Sequence, residues 1–377
     1  MELFEKPKGS YISFFSNKVK MFGGINLAQG IPGFNPPVEL IDELNAISKT
    51  NIHQYAPGLG NLKLLELIAQ KYNVETANLL VVQGATEGLS LIYTYLLKLI
   101  GKDFSVLAFD PAYESYSKLP EIFGQPFIAF PLADNGSFNT DELSAEIINK
   151  NVKLIFVSSP GNPYGKVFSK DEVDSLVELS GKLGFYLVFD AVYDELYFNE
   201  SPYIPVKSTN ERLFIVSSFS KSLCITGWRI GYIIHHKVHA AGLQSVHDYI
   251  GLCAPSLLQQ TLANYLEKYN YAEGFKVEFR RNITQSFQSL SEVLNEQGFQ
   301  IPKIDGGCFI WAELPEEFTD GFRFASMLYE ENKVAVIPGE HFSASKTNWI
   351  RFNIARPMDE IMAAEKELTL FMQKHKG

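Results

Sequence analysis

The chain has 377 residues, room for two or three domains at roughly 150 residues each. Its composition, 46% hydrophobic and 20% charged, is that of a folded globular protein and excludes disordered and fibrous classes. With 33 Lys and Arg against 43 Asp and Glu, a formal net charge of −10, non-specific attraction to nucleic acid or an anionic membrane is disfavoured, so any anion site must be local.

Met1 to Ser10 is charged and lacks the apolar stretch of a secretory signal, and the most apolar windows elsewhere are broken well short of a membrane span. A cytoplasmic protein is expected. The first 30 or so residues, with Gly23-Gly24, Gly30, Pro32, Gly33 and Pro36-Pro37, carry too much punctuation for regular elements. They read as an arm, joined to a smaller domain and leading to a helix near Val38 to Ser48.

From Leu79 onward, β-branched and aromatic runs alternate with helical patterns. Strands are expected at Leu79 to Gln83, Phe104 to Asp110, Lys153 to Ser158, Phe185 to Asp190, Leu213 to Ser218 and Ile230 to His235. Helices such as Thr86 to Leu99 and Lys170 to Leu183 lie between them. Several of the strands are nearly continuous in apolar residues, as strands covered on both faces are, so a mainly parallel α/β sheet follows. After about residue 240 the pattern changes to long helices, Ser256 to Lys268 and Phe275 to Gln297, followed by short strands at Cys308 to Glu313, Val334 to Ile337 and Trp349 to Asn353. This describes a smaller α+β domain.

Two strand ends carry chemistry. The run Leu79-Leu80-Val81-Val82-Gln83-Gly84-Ala85-Thr86-Glu87-Gly88 takes a strand through a glycine turn into a helix, whose first N–H groups suit an anion. Neither Gly-x-Gly-x-x-Gly after a strand nor a P-loop is present. The run Ser217-Ser218-Phe219-Ser220-Lys221, followed by Gly227-Trp228-Arg229-Ile230-Gly231, lies between two expected strands, so Lys221, Ser218 and Arg229 can meet at one edge of the sheet. A lysine in a serine loop is ordinarily a solvated residue. Beside a guanidinium and hydroxyls at a strand end, however, it suits a phosphate-bearing aldehyde.

Ser-x-x-Lys followed by Gly-Trp-Arg-Ile-Gly resembles the lysine signature of the class I/II aminotransferases, which are pyridoxal-phosphate enzymes of fold type I. Further motifs of that family occur in order along nearly the whole chain. They are Asn51-Ile-His-Gln-Tyr55-Ala-Pro-Gly-Leu-Gly60, Gly84-Ala-Thr-Glu-Gly88, Asp110-Pro-Ala-Tyr113, Pro160-Gly-Asn162-Pro-Tyr-Gly165, Asp190-Ala-Val-Tyr193 and Trp349-Ile-Arg351-Phe-Asn353. The resemblance implies an α/β fold in which a large domain with a mainly parallel seven-stranded sheet between helices, residues 46–265, is joined to a smaller α+β domain, residues 266–377. Residues 1–45 would supply the arm and part of the small domain.

The resemblance also implies the cofactor, pyridoxal 5'-phosphate, and a role for each residue. Lys221 would carry it as a Schiff base and later move the α-proton. Asp190 would face the pyridine nitrogen and keep it protonated, while Tyr193 and Asn162 would donate to the ring's phenolic oxygen. Tyr113 would stack on the ring. Gly84, Ala85, Thr86, Ser218 and Arg229 would cradle the phosphate, together with Tyr55 of the partner subunit in a homodimer with shared sites. Arg351 would fork onto the substrate α-carboxylate, with Gly30 and Asn162 beside it. The histidines and the three cysteines show no metal-ligand spacing, and no metal is expected.

Between Lys237 and Lys268 there is no lysine or arginine, although dicarboxylate-specific relatives carry a second arginine in this region, so a strong preference for aspartate is disfavoured. Val246 to Tyr249, Gly307 to Trp311 and Val334 to Gly339 resemble the subgroup of methionine, glutamine and kynurenine aminotransferases. A neutral sulfur-containing or aromatic donor is therefore expected, with a cysteine-conjugate or cystathionine β-lyase and a non-catalytic regulator as alternatives.

Overall fold

The computed structural model describes residues 5–133 and 135–375. It opens on helix α1 (Tyr11–Phe22), a two-residue strand β1 (Ile25–Asn26), and helices α2 (Val38–Ile47) and α3 (Leu62–Tyr72). The alternating part follows: β2 (Leu79–Val82), α4 (Ala85–Ile100), β3 (Ser105–Asp110), α5 (Glu114–Phe123), β4 (Phe127–Pro131), α6 (Thr140–Asn149), β5 (Val152–Ser158), α7 (Lys170–Leu183), β6 (Tyr186–Asp190), β7 (Leu213–Ser218), the single turn α8 (Phe219–Ser222) and β8 (Gly231–His235). Helices α9 (Ala240–Ile250), α10 (Ser256–Lys268) and α11 (Glu273–Glu296) lead to β9 (Phe309–Glu313), α12 (Gly321–Asn332), β10 (Val334–Ala335), β11 (Ile337–Pro338), β12 (Trp349–Asn353) and α13 (Met358–His375).

The seven strands β2 to β8 form one sheet in the order β2-β8-β7-β6-β5-β3-β4. All its pairings are parallel except the two made by β8, which is antiparallel to β2 and to β7. Successive side chains of a strand point to opposite faces, and both faces are buried. Val81, Leu107, Ile155, Leu187 and Ile215 join one core with α3, α6, α7 and α10, whereas Leu80, Val82, Val106, Leu154, Val188 and Val216 join another with α4 and α9. A third core collects β9, β11 and β12, which pair antiparallel, with α1, α11, α12 and α13.

The direction of β8 decides where the chemistry can gather. Parallel β6 and β7 end at Asp190 and Ser218, and because β8 runs the other way, its first residue, Gly231, is the register partner of both Ser218 and Val82. The turn before β8 therefore lies against the turn after β2. So close is this approach that a Cβ on Gly231 would stand 2.7 Å from the carbonyl carbon of Gly84 and 2.8 Å from the nitrogen of Ala85.

Three departures from the expected elements have physical causes. Helix α1 lies inside the supposed arm: Phe15 is fully buried, and Phe14 and Phe15 meet Phe322 of α12, so tertiary burial stabilises a helix that the surrounding glycines obscure. Strand β4, absent from the expected strands, is the half-exposed edge of the sheet and ends in Pro131. The expected strand Val334 to Ile337 is two short strands, β10 pairing parallel to β1 and β11 pairing antiparallel to β12.

Gly231→Ala places its methyl against backbone atoms that cannot turn aside, so a loss of about 1–3 kcal/mol is expected. Urea unfolding of the cofactor-free protein measures it.

Candidate active site

A cavity of about 300 Å³ opens at the carboxyl ends of the parallel strands, where α/β sheets place their ligand sites. Its wall contains Gly30, Ala85, Thr86, Tyr113, Asn162, Asp190, Tyr193, Ser218, Lys221, Arg229 and Arg351. Thus residues from seven separate stretches of sequence converge.

At one end stand the turn after β2 and the segment between β7 and β8. Gly84, with φ of 80°, is the N-cap of α4 and offers no side chain to its first N–H groups, which stay free for an anion. Arg229 takes a left-handed conformation (φ 58°) just ahead of β8. Its guanidinium donates to the Thr226 and Gln83 carbonyls at 2.9 and 3.3 Å. A Cβ on Gly84 would meet its Nη2 at 2.5 Å, so a side chain there would push Arg229 out of the cradle. Ser218 caps α8, accepting from Ser220 N at 3.1 Å and donating to the Ile230 carbonyl at 2.9 Å.

Lys221, the third residue of α8, donates from Nζ to the Gly30 carbonyl at 2.5 Å. Burial, first of all, pushes its pKa down to about 8, with the Arg351 and Arg229 guanidiniums adding to the depression. Asp190 is buried at the end of β6: its Oδ1 accepts from Val192 N at 3.0 Å and its Oδ2 from the Tyr116 hydroxyl at 2.7 Å. Burial raises its pKa to about 6, against the pull of these donors and of Lys221. Tyr193 is held edge-on to Phe309, with the Lys221 amine 5.9 Å from its ring centre.

At the other end Arg351, from the middle of β12, is fully buried between the rings of Phe309 and Phe342, 4.2 and 4.7 Å from its guanidinium carbon. It donates to Asn162 Oδ1 at 2.9 Å and to the Ala28 carbonyl at 2.6 Å, and its Nε has no partner. No carboxylate among the described residues forms an ion pair with it. Burial lowers its pKa to about 10. Since Asn162 spends Oδ1 on Arg351, its remaining donors are on Nδ2.

Tyr55 is the residue the structure does not bring in: it is 83% exposed and lies in a separate surface hollow with Pro57, Asn61 and Ser256. Conversely, the wall includes Ile12, Gln29, Glu114, Tyr116, Ser220 and Thr226, which the motifs did not single out. Tyr116 had a signal, standing one helical turn beyond Tyr113; Glu114 and Ile12 had none.

The class I and II aminotransferase family matches residues 23–364. The chain belongs to that family. It is an enzyme, an aminotransferase, and the family's cofactor is pyridoxal 5'-phosphate. A relative from Methanocaldococcus jannaschii, a probable aspartate aminotransferase, is 31% identical over 354 residues, covering 90% of this chain and 91% of its own. N-succinyldiaminopimelate aminotransferase from Mycobacterium tuberculosis has the same fold, with a TM-score of 0.89 at 24% identity over 96% of this chain and 97% of its own. So does the aromatic aminotransferase of Pyrococcus horikoshii OT3, with a TM-score of 0.87 at 22% identity over 96% and 99%. These aminotransferases are named for three different donors, so the family does not settle the substrate.

The donor set of the cavity suits the cofactor. Open helix N–H groups, a guanidinium and hydroxyls suit its phosphate; a buried carboxylate suits a ring N–H; an amine depressed by burial suits a carbonyl carbon.

The depressed amine has a consequence for stability. Its unfolded value is near the ordinary 10.5 and its folded value about 8, so below pH 8 both states are charged and the folded one bears a burial cost of about 3 kcal/mol. Between pH 8 and 10.5 the folded amine sheds its proton first and this cost fades. Cofactor-free Lys221→Met is expected to exceed the wild type in unfolding free energy at pH 7, with the gap closing by pH 10 in denaturant titrations.

Proposed function

We propose that this aminotransferase moves the amino group of a neutral amino acid, sulfur-containing or aromatic, of the methionine, glutamine or kynurenine kind, to a 2-oxo acid by a ping-pong cycle. The observation that carries the reading is the guanidinium of Arg351, buried with no ion-pair partner among the described residues in the wall that also holds the Lys221 amine. Removing one partner of a buried ion pair costs several kcal/mol, about 3–5. An arginine standing in that condition by itself suits a ligand that brings the anion, and an α-carboxylate next to an exchanging α-amino group is such a ligand.

For a neutral side chain, the support is the charge of the wall. Its cations are Lys221, Arg229 and Arg351, each with a task already, and its remaining charged group besides Asp190 is Glu114. The Glu114 carboxylate stays ionised: His341, whose Nε2 is 3.0 Å away, holds its pKa below the usual range, with Arg351 adding a smaller effect. A second carboxylate on the substrate would meet repulsion there.

In this reading Ala85, Thr86, Ser218, Arg229 and the turn at Gly84 hold the cofactor phosphate, joined by Tyr55 of the partner subunit. Asp190 holds the proton at the ring nitrogen, Tyr193 and Asn162 donate to the phenolic oxygen, and Tyr113 covers the ring. When bound, pyridoxal phosphate supplies an aldehyde for amino exchange and a ring that withdraws electrons from the substrate Cα. Arg351 orients the α-carboxylate next to Gly30. Lys221 Nζ would take the proton from the substrate Cα and give it to the cofactor carbon on the other side of the exchanging nitrogen, and its pKa of about 8 would let it do both near neutral pH. The reading includes a cytoplasmic homodimer, with domain divisions near residues 45 and 265. Supporting the dimer, exposed Leu252 shares a surface hollow with exposed Tyr55, and the neighbouring Tyr249 and Ile250 are exposed as well, apolar surface of the kind that a partner covers.

The test is to add each amino acid in turn to the cofactor-loaded enzyme and follow the cofactor absorbance. Neutral donors should convert it and 2-oxo acids should reverse the change, whereas Lys221→Ala should do neither at a measurable rate. Preferential conversion by aspartate would overturn the substrate reading, and release of pyruvate and ammonia without an acceptor would mark β-elimination instead. Glu114→Gln removes the negative wall, so the ratio of kcat/KM for glutamate to that for glutamine should rise about tenfold, equivalent to about 1.4 kcal/mol.

A further inference from the structure

Tyr116 is buried next to Asp190 in the cavity wall. Its ring is stacked on Phe156 of β5, with centroids 4.9 Å apart and planes 5° from parallel, and Tyr113 closes on it edge-on at 5.6 Å. With the ring held by these two contacts, its hydroxyl donates to Asp190 Oδ2, 2.7 Å away, with Ser158 as a second hydrogen-bonding neighbour. The carboxylate is thus held at both oxygens, Oδ1 by Val192 N and Oδ2 by Tyr116. It cannot rotate without leaving a buried donor unsatisfied.

We propose that Tyr116 is a positioning residue for the transamination reaction: its hydroxyl fixes the plane of the Asp190 carboxylate and stabilises its charge, so that the lone pairs left over can hold a cofactor ring N–H. The proposal rests on Asp190 being the ring partner, but the Tyr116 contact can be tested without the cofactor. Four other groups act on Asp190. Lys221 favours its ionised form, Asp194 opposes it, and Tyr113 and Tyr193 face it as neutral phenols whose own pKa values burial raises. Burial itself drives the carboxyl towards the neutral form, and a neutral carboxyl would confront a protonated ring nitrogen with no counter-charge. The Tyr116 hydroxyl opposes that tendency.

The experiment uses Tyr116→Phe, which keeps the stacked ring and deletes only the donor. In cofactor-free protein labelled with 13C-aspartate, with the Asp190 signal assigned by its loss in Asp190→Asn, the carboxyl titration should move upward by about one pH unit or more. In the loaded enzyme the acid limb of kcat should move in the same direction and kcat at pH 7 should fall about tenfold, while KM for the donor stays within about twofold. An unmoved Asp190 titration in a folded variant overturns the proposal. A shifted titration with an unmoved acid limb overturns instead the assignment of Asp190 to the ring nitrogen. Should Tyr116→Phe not fold, Phe156→Leu, which frees the ring that aims the hydroxyl, must raise the same titration; no change there would equally overturn the role.

Discussion

The whole site turns on the burial of charge. Lys221, Asp190 and Arg351 are all removed from water, and in each the largest influence on acidity is that removal, lowering the two bases and raising the acid. In water these groups would be inert: the amine fully protonated, the guanidinium hydrated. Within the cavity the amine's pKa is brought towards neutral pH and the guanidinium has no ion-pair partner among the described residues, so that on the proposed reading a zwitterionic amino acid would relieve a cost which folding incurred. On that reading the stability lost to burial and the affinity for substrate would be two aspects of one electrostatic fact.

That cost is sustainable because a rigid sheet determines where each group lies. The reversal of β8 is the decisive element. Were it parallel to β7, its first residues would lie at the far end of the sheet, and Arg229 could not stand beside Gly84 and Ser218. Antiparallel pairing on both sides brings the start of β8 to the ends of β2 and β7, and glycine at 231 permits the backbones to touch. Asp190 needs no such device, since it is the last residue of a strand buried on both faces.

Much of this was legible in the amino-acid order because local and tertiary preferences agree. Helix α7 matches its expected bounds where Ser169 and Glu172 form a reciprocal cap and Gly184 takes the left-handed stop. Strands β7 and β12 are bounded as expected because their apolar runs end in chemically distinct residues. Where tertiary packing alone decides, the sequence was silent: α1 exists because Phe15 finds a pocket, and β4 because a sheet edge accepts it. The site divides in the same way. Lys221, Asp190, Asn162, Arg229 and Arg351 belong to ordered motifs and share one cavity, whereas Glu114 becomes prominent only when His341, more than 200 residues away in sequence, is seen beside it. Tyr55 illustrates the converse, since a motif can name a residue whose expected partner lies on another chain.

The arm deserves its place in the mechanism for an electrostatic reason. The Lys221 amine donates to the Gly30 carbonyl and Arg351 to the Ala28 carbonyl, while Asn353 Nδ2 donates to the carbonyls of Gln29 and Ile31. Residues 28 to 31 therefore present backbone acceptors to Lys221 and Arg351, two donors of the cavity wall, and are tied to β12 by Asn353. A carboxylate outcompetes a carbonyl for a guanidinium because its hydrogen bonds are charge-assisted. An uncharged ligand lacks that advantage and would have to displace the arm at a net loss. On the proposed reading the arm would thus favour ligands that carry an α-carboxylate, and Glu114 would choose among them.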